Sequence, residues 1–76
     1  MGKERHNNIL TKNVAQKLRQ LRKDRGLSQV SVYIDTDIHI GRIENGRANV
    51  SLSTLSDLCD YYGITLEEFF RDIQTK

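Results

Sequence analysis

Helix stop and start signals recur along this chain at intervals that leave room only for short helices. Gly26, Asn45-Gly46 and Gly63 each end an apolar-periodic stretch. Each is followed within five residues by a hydroxyl side chain, Ser28, Ser51 and Thr65, able to accept from the free N–H groups of a new helix. Proline is absent, and no segment offers a partner for a strand. The expected fold is all-α: five short helices joined by connections of only a few residues.

In chain order, residues 1–10 read as a flexible basic tail and residues 11–76 as the folded domain. The first helix is expected from Thr11 or Lys12 to Arg25, capped by Thr11, with Val14, Leu18 and Leu21 at i, i+4 and i+7 on one face. Arg22, Lys23 and Arg25 meet the negative end of its dipole, Gly26 stops it, and Leu27 turns back toward the core. Ser28 caps a second helix that carries Gln29 in its first turn. The acidic or Gln partner of a capping box is replaced there by Ser31. The run Val30, Val32, Tyr33, Ile34 is β-branched enough to suit a strand, but the flanking caps favour helix. Asp35-Thr36-Asp37 reads as a polar break.

Residues 36–45 read as a third helix with Thr36 or Asp37 as its cap. Ile40 and Ile43, with Ile38 nearby, give it an apolar back, while His39 and Arg42 can face elsewhere. A loop follows over 46–50, exposing Arg47 and Asn49. Ser51 or Ser53 caps a fourth helix with an apolar stripe of Leu52, Leu55, Leu58, Cys59 and Tyr62. Thr65-Leu66-Glu67-Glu68 forms a capping box that opens a fifth helix through Phe69, Phe70 and Ile73.

Composition excludes several function classes. A chain of 76 residues has room for one small core, and oligomerisation commonly supports domains of this size. No apolar run approaches the roughly 20 residues that cross a bilayer, and the polar N-terminal residues do not resemble a signal peptide, so a cytoplasmic protein is expected. Cys59 is the lone cysteine and reads as a small buried hydrophobe. His6 and His39 have no helix-face partner, so neither a metal nor another cofactor is expected. No nucleophile–base pair or phosphate-cradling glycine loop points to an enzyme.

Charge is unevenly placed. Residues 1–26 hold eight basic side chains (Lys3, Arg5, Lys12, Lys17, Arg19, Arg22, Lys23 and Arg25) against Glu4 and Asp24, a net of +6. Residues 27–76 hold four basic against eight acidic side chains, a net of −4. Such polarity suits a domain that turns one face to a polyanion, although a solvated basic helix has the same composition.

Five pieces occur in one order: Leu18-Arg19-Gln20-Leu21-Arg22, Gly26-Leu27-Ser28-Gln29, Arg42-Ile43-Glu44-Asn45-Gly46, Ser53-Thr54-Leu55, and Gly63 through Phe70. Together they resemble the lambda-repressor-like, Cro-type (XRE family) helix-turn-helix domain over residues 13–70. The resemblance implies that helices two and three form the helix-turn-helix, with the third lying in the major groove of double-stranded DNA. It implies phosphate contacts from Gln29, helped by Ser28, and from Asn45, Arg47 and Asn49. Base-edge contacts fall on Asp37, Ile38 and Arg42, with Thr36 at the helix start and His39 alongside. Arg22 and Glu44 take the positions of an ion pair tying helix one to helix three. Small stand-alone domains of this kind resemble phage repressors, restriction–modification controllers and antitoxins.

Two departures follow from the residues themselves. Only twelve residues, Val30 to Gly41, separate Gln29 from Arg42, nearly a helical turn fewer than in the resembled family, so helix two or the turn after it is expected to be short. Asp37 and Ile38 stand where polar readers are usual. Asp37 can accept from a cytosine amino group or serve only as a helix cap, and Ile38 can meet a thymine methyl or belong to the core; Arg42 suits guanine. The expected function is a sequence-specific DNA-binding regulator acting as a homodimer on a palindromic operator, with Phe69, Phe70 and Ile73 as interface candidates. The rival is an antitoxin-like module that binds a protein partner, a toxin or another regulator. It rests on the net −2 of residues 35–45, where Asp35, Asp37 and Glu44 outnumber Arg42.

Overall fold

The computed structural model describes residues 8–73. Within them the chain forms α1 (Asn8–Asp24), α2 (Gln29–Thr36), α3 (Ile40–Glu44), α4 (Leu52–Tyr62) and α5 (Leu66–Phe70), with no strand. The all-α, five-helix expectation holds. α1 begins three residues before Thr11, which is therefore an interior residue and not its cap. Leu10 explains the difference. It packs partly buried against the core, one turn before Val14 on the same stripe. Asn8–Leu10 thus belong to the helix, and the rest of the expected tail, residues 1–7, lies outside the described residues.

The core is a single cluster drawn from every helix. Val14, Leu18 and Leu21 of α1, Val32 of α2, Ile40 and Ile43 of α3, Leu55, Leu58, Cys59 and Tyr62 of α4, and Phe69 of α5 are all buried. The Cys59 thiol is pushed up by burial, with Asp60 adding to the shift, so it behaves as a packing group. Leu52 departs from the expected stripe. As the first residue of α4 it projects past the rim of the core and is 76% exposed, lining a shallow apolar groove with Leu10, Val50 and Phe70.

Local chemistry sets most helix ends. The Ser51 hydroxyl, not that of Ser53, caps α4 by accepting from the Thr54 N–H at 3.1 Å. Gly63 closes α4 with φ 78°, a left-handed conformation that glycine adopts without a Cβ penalty. At α5, Thr65 Oγ1 accepts from the Glu68 N–H and the Glu68 carboxylate accepts from the Thr65 N–H, the expected capping box. Those hydrogen bonds hold the Glu68 carboxyl below its ordinary pKa. α5 stops at Phe70, short of the expected end, and Ile73 packs against the core from beyond it. Phe69 is fully buried, so it closes the core and offers nothing to a partner; Phe70 remains 37% exposed.

The α2–α3 boundary differs most from expectation. α2 keeps eight residues and runs through Thr36, so Asp35 and Thr36 are helical and not a break. Asp37 is the C-cap of α2, in the left-handed region at φ 62°, with its N–H donated to the Tyr33 carbonyl. The Thr36 hydroxyl donates to Val32 O at 2.7 Å and accepts from the Ile38 N–H at 3.1 Å. Neither residue is therefore free to cap α3, whose N-cap position falls to His39 with no side-chain cap bond. The ten-residue helix expected over 36–45 contracts to five residues, while α2 runs two residues past its expected end at Ile34.

Candidate nucleic-acid interface

The site is built on a polar seam where α1, the start of α2 and the end of α3 meet. Arg22 Nε and Nη2 donate to the two Glu44 carboxylate oxygens at 2.7 and 2.9 Å, and Nη1 donates to Leu27 O at 2.8 Å. The Arg22 and Glu44 side chains are only 10% and 3% exposed. Hydrogen bonding to Glu44 raises the guanidinium pKa against the opposing cost of burial. A planar fork fully engaged in this way fixes geometry more than it adds stability, because desolvation offsets much of its attraction. The expected ion pair is present. It ties the last residue of α3 to α1 and, through Leu27, to the turn before α2.

Gln29 completes the seam. Its amide donates to Glu44 Oε1 at 3.0 Å. Its own oxygen lies over Gly41, where an added Cβ would sit 3.2 Å away, tighter than ordinary van der Waals contact. Glycine at 41 thus lets α2 and α3 approach closely. The α2 start is held by a capping box after all: Ser31 N–H donates to Ser28 Oγ, and Ser28 N–H to Ser31 Oγ, both at 3.0 Å. The serine hydroxyl takes the part usually played by Glu or Gln, because it also bonds back to Ser28 O within the same turn.

Around this seam lies an exposed rim. Arg42, Asn45, Arg47 and Asn49 are exposed, as are Ser28, Gln29, Asp37 and His39. Asn45 Oδ1 accepts from the Arg47 N–H at 2.9 Å and so shapes the loop after α3. Asn49 Oδ1 accepts from the Thr11 hydroxyl at 3.4 Å, anchoring the same loop to α1. Gly46, with φ 79°, packs against the Lys12 stem, and Arg19 borders the groove formed with Gln29, Gly41 and Asn45. Thr36 is half-buried with its hydroxyl engaged at the turn, and Ile38 is half-buried against the core. Both are less open than the rim residues, and Asp37 belongs to the end of α2 rather than to α3.

Several participants were not apparent from sequence. The Tyr33 ring lies 4.6 Å from that of His39, tilted by 32°; the signal was an i, i+6 spacing across a turn whose geometry was unknown. Arg25 donates to Tyr62 O at 2.6 Å and Leu21 O at 2.9 Å, capping α4 and α1 together. With Arg22 also engaged, the basic excess of residues 1–26 is not all available as a free face. Besides the paired Arg22, Lys12 and Arg19 are α1 cations set beside the α3 end.

A helix-turn-helix family model matches residues 18–69, which takes in the Arg22–Glu44 seam, α2, α3 and the loop after them. The chain belongs to the helix-turn-helix family. The Mycoplasma control protein C.MunI is 44% identical over 62 residues, covering 76% of this chain and 84% of that protein. The HTH-type transcriptional regulator DdrOP3 of Deinococcus deserti is 33% identical over 64 residues, covering 80% of this chain; the match spans half of that protein's length. No solved structure matches. This helix-turn-helix protein is therefore a DNA-binding regulator of the repressor-like type. No helix among its described residues is long and apolar enough to cross a membrane.

Proposed function

We propose that this protein binds a specific operator as a homodimer, with α3 entering the major groove and Arg42 reading a guanine. The observation that carries the reading is the division of labour within α3. Ile40 and Ile43 are buried and Glu44 is locked to Arg22, which leaves Arg42 as the charged side chain free to reach outward. Gln29, Ser28, Asn45, Arg47 and Asn49 frame it at positions suited to phosphate. A pair of half-sites one helical turn apart accounts for a domain this small acting as a dimer, with Phe70 and Ile73 as the accessible remainder of the proposed interface.

Binding to a mixed operator library at several salt concentrations tests the proposal. A steep salt slope with a selected subset of sequences supports it. Flat, weak binding to every duplex would sink it. Sedimentation of the free protein across a concentration series tests the dimer separately. The rival protein-partner reading has less support than its charge count suggested, because Glu44 is neutralised by Arg22.

A further inference from the structure

α3 is too short to read an operator alone. Of its five residues, Ile40 and Ile43 are buried, Gly41 has no side chain, and Glu44 is held by Arg22 and Gln29. Arg42 can specify about one base pair, and a usable site must exceed a vast background of non-specific DNA. Other side chains have to contribute.

The edge of α2 offers them. Val30 is 67% exposed and Tyr33 41% exposed. Both line one open groove with His39, Arg42, Gln29 and Gly41. The Tyr33 ring rests on that of His39, the residue that precedes α3. This apolar surface is continuous with the proposed DNA-contacting side chains, and its cation, Arg42, suits a polyanion. In the major groove the apolar group on offer is the C5 methyl of thymine. Ile38, the sequence candidate for such a contact, is half-buried against the core.

We propose that Val30 and Tyr33 read thymine methyl groups beside the base pair contacted by Arg42, so that the recognition head is the α2–α3 edge and not α3 alone. This rests on the proposed placement of α3 in the major groove. Tyr33 also holds the His39 ring against α2, which orients it toward the same step. Ile34, although 73% exposed, lies outside the shared groove and takes no part.

The test uses the unaltered protein on its selected operator, with each thymine replaced in turn by deoxyuridine, which removes only the methyl. At one or two thymines next to the critical guanine, affinity is expected to fall about fourfold, the equivalent of about 0.8 kcal/mol for one buried carbon. Tyr33→Ser and Val30→Ser should abolish that sensitivity while keeping the salt slope; Ile34→Ser should keep both. Equal affinity for thymine and deoxyuridine at every position overturns the proposal and leaves the operator reading standing. Sensitivity that persists in both the Tyr33 and Val30 variants also overturns it. Failure to select any duplex overturns both.

Discussion

α4 carries its own start and stop: a serine cap, eleven residues with four buried on one face, and a left-handed glycine at the end. α3 has five residues, no side-chain cap at its start, and barely more than one turn. A helix of that length does not persist alone, because the cost of the first turn is not recovered. It is held instead by two buried isoleucines and by the Arg22–Glu44 clamp to α1. The element that meets DNA in the proposed mode is thus the one least specified by its own residues. Its orientation is set by a neighbour, and its outer face is left with Arg42 for recognition.

That contrast can be broken at several points. The largest expected effect is at the clamp: Arg22→Met should cost about 3–5 kcal/mol in urea denaturation, since it strands a buried carboxylate. Adding Glu44→Leu should recover much of the loss, and a cost near zero for the single change would show that the clamp does not hold α3. Leu55→Ala in α4 should cost about 2–5 kcal/mol through the cavity it leaves, with operator preference unchanged in the folded fraction. Arg42→Ala should leave the melting temperature alone yet lose about 1–3 kcal/mol of operator binding and relax one base position, whereas Gln29→Ala weakens all sequences similarly. Unchanged preference in the Arg42 variant would mean that α3 is wrongly placed.

Smaller effects sharpen the same comparison. Ser51→Ala should destabilise by about 1 kcal/mol through loss of the α4 cap, while His39→Ala removes no cap from α3 and should not destabilise it in that way. Equal losses would erase the distinction between the two helices. The smallest effect at neutral pH is at Tyr62, whose hydroxyl is buried without a hydrogen-bond partner among the described residues. Burial first, and the Glu44 charge second, push its pKa up to about 12 from 10. Below pH 10 the phenol is neutral folded or unfolded. Between about pH 10 and 12 only the unfolded chain gives up the proton, so stability falls as pH rises through that window. Tyrosinate absorbance should show late titration from Tyr62 and also from Tyr61, whose hydroxyl donates to Asp35; the Tyr62 step should be absent in Tyr62→Phe, and that variant should be no less stable than the parent.

Much of the scaffold was legible because its signals are local. The Thr65–Glu68 box, the Gly63 stop and the stripe of Leu55, Leu58, Cys59 and Tyr62 each follow from side chains within one or two turns. The Arg22–Glu44 pair was reached through family resemblance and is present. The α2–α3 boundary was not legible. Thr36 and Asp37 look like an N-cap, and only the chain's path shows that one closes onto Val32 and the other takes a left-handed C-cap. The Ser31 half of the capping box was passed over because a serine seldom has the reach of a glutamate.

By itself, then, the order of apolar stripes, caps and glycines determined five helices, since each depends on interactions a few residues apart, and five motif pieces in one order carried the resemblance to a helix-turn-helix family. Tertiary structure alone decided how long α3 is, which α2 side chains share its face, and which basic residues remain free. Those outcomes turn on contacts between residues such as Arg22 and Glu44, Gln29 and Gly41, and Arg25 and Tyr62, which are brought together only when the helices pack.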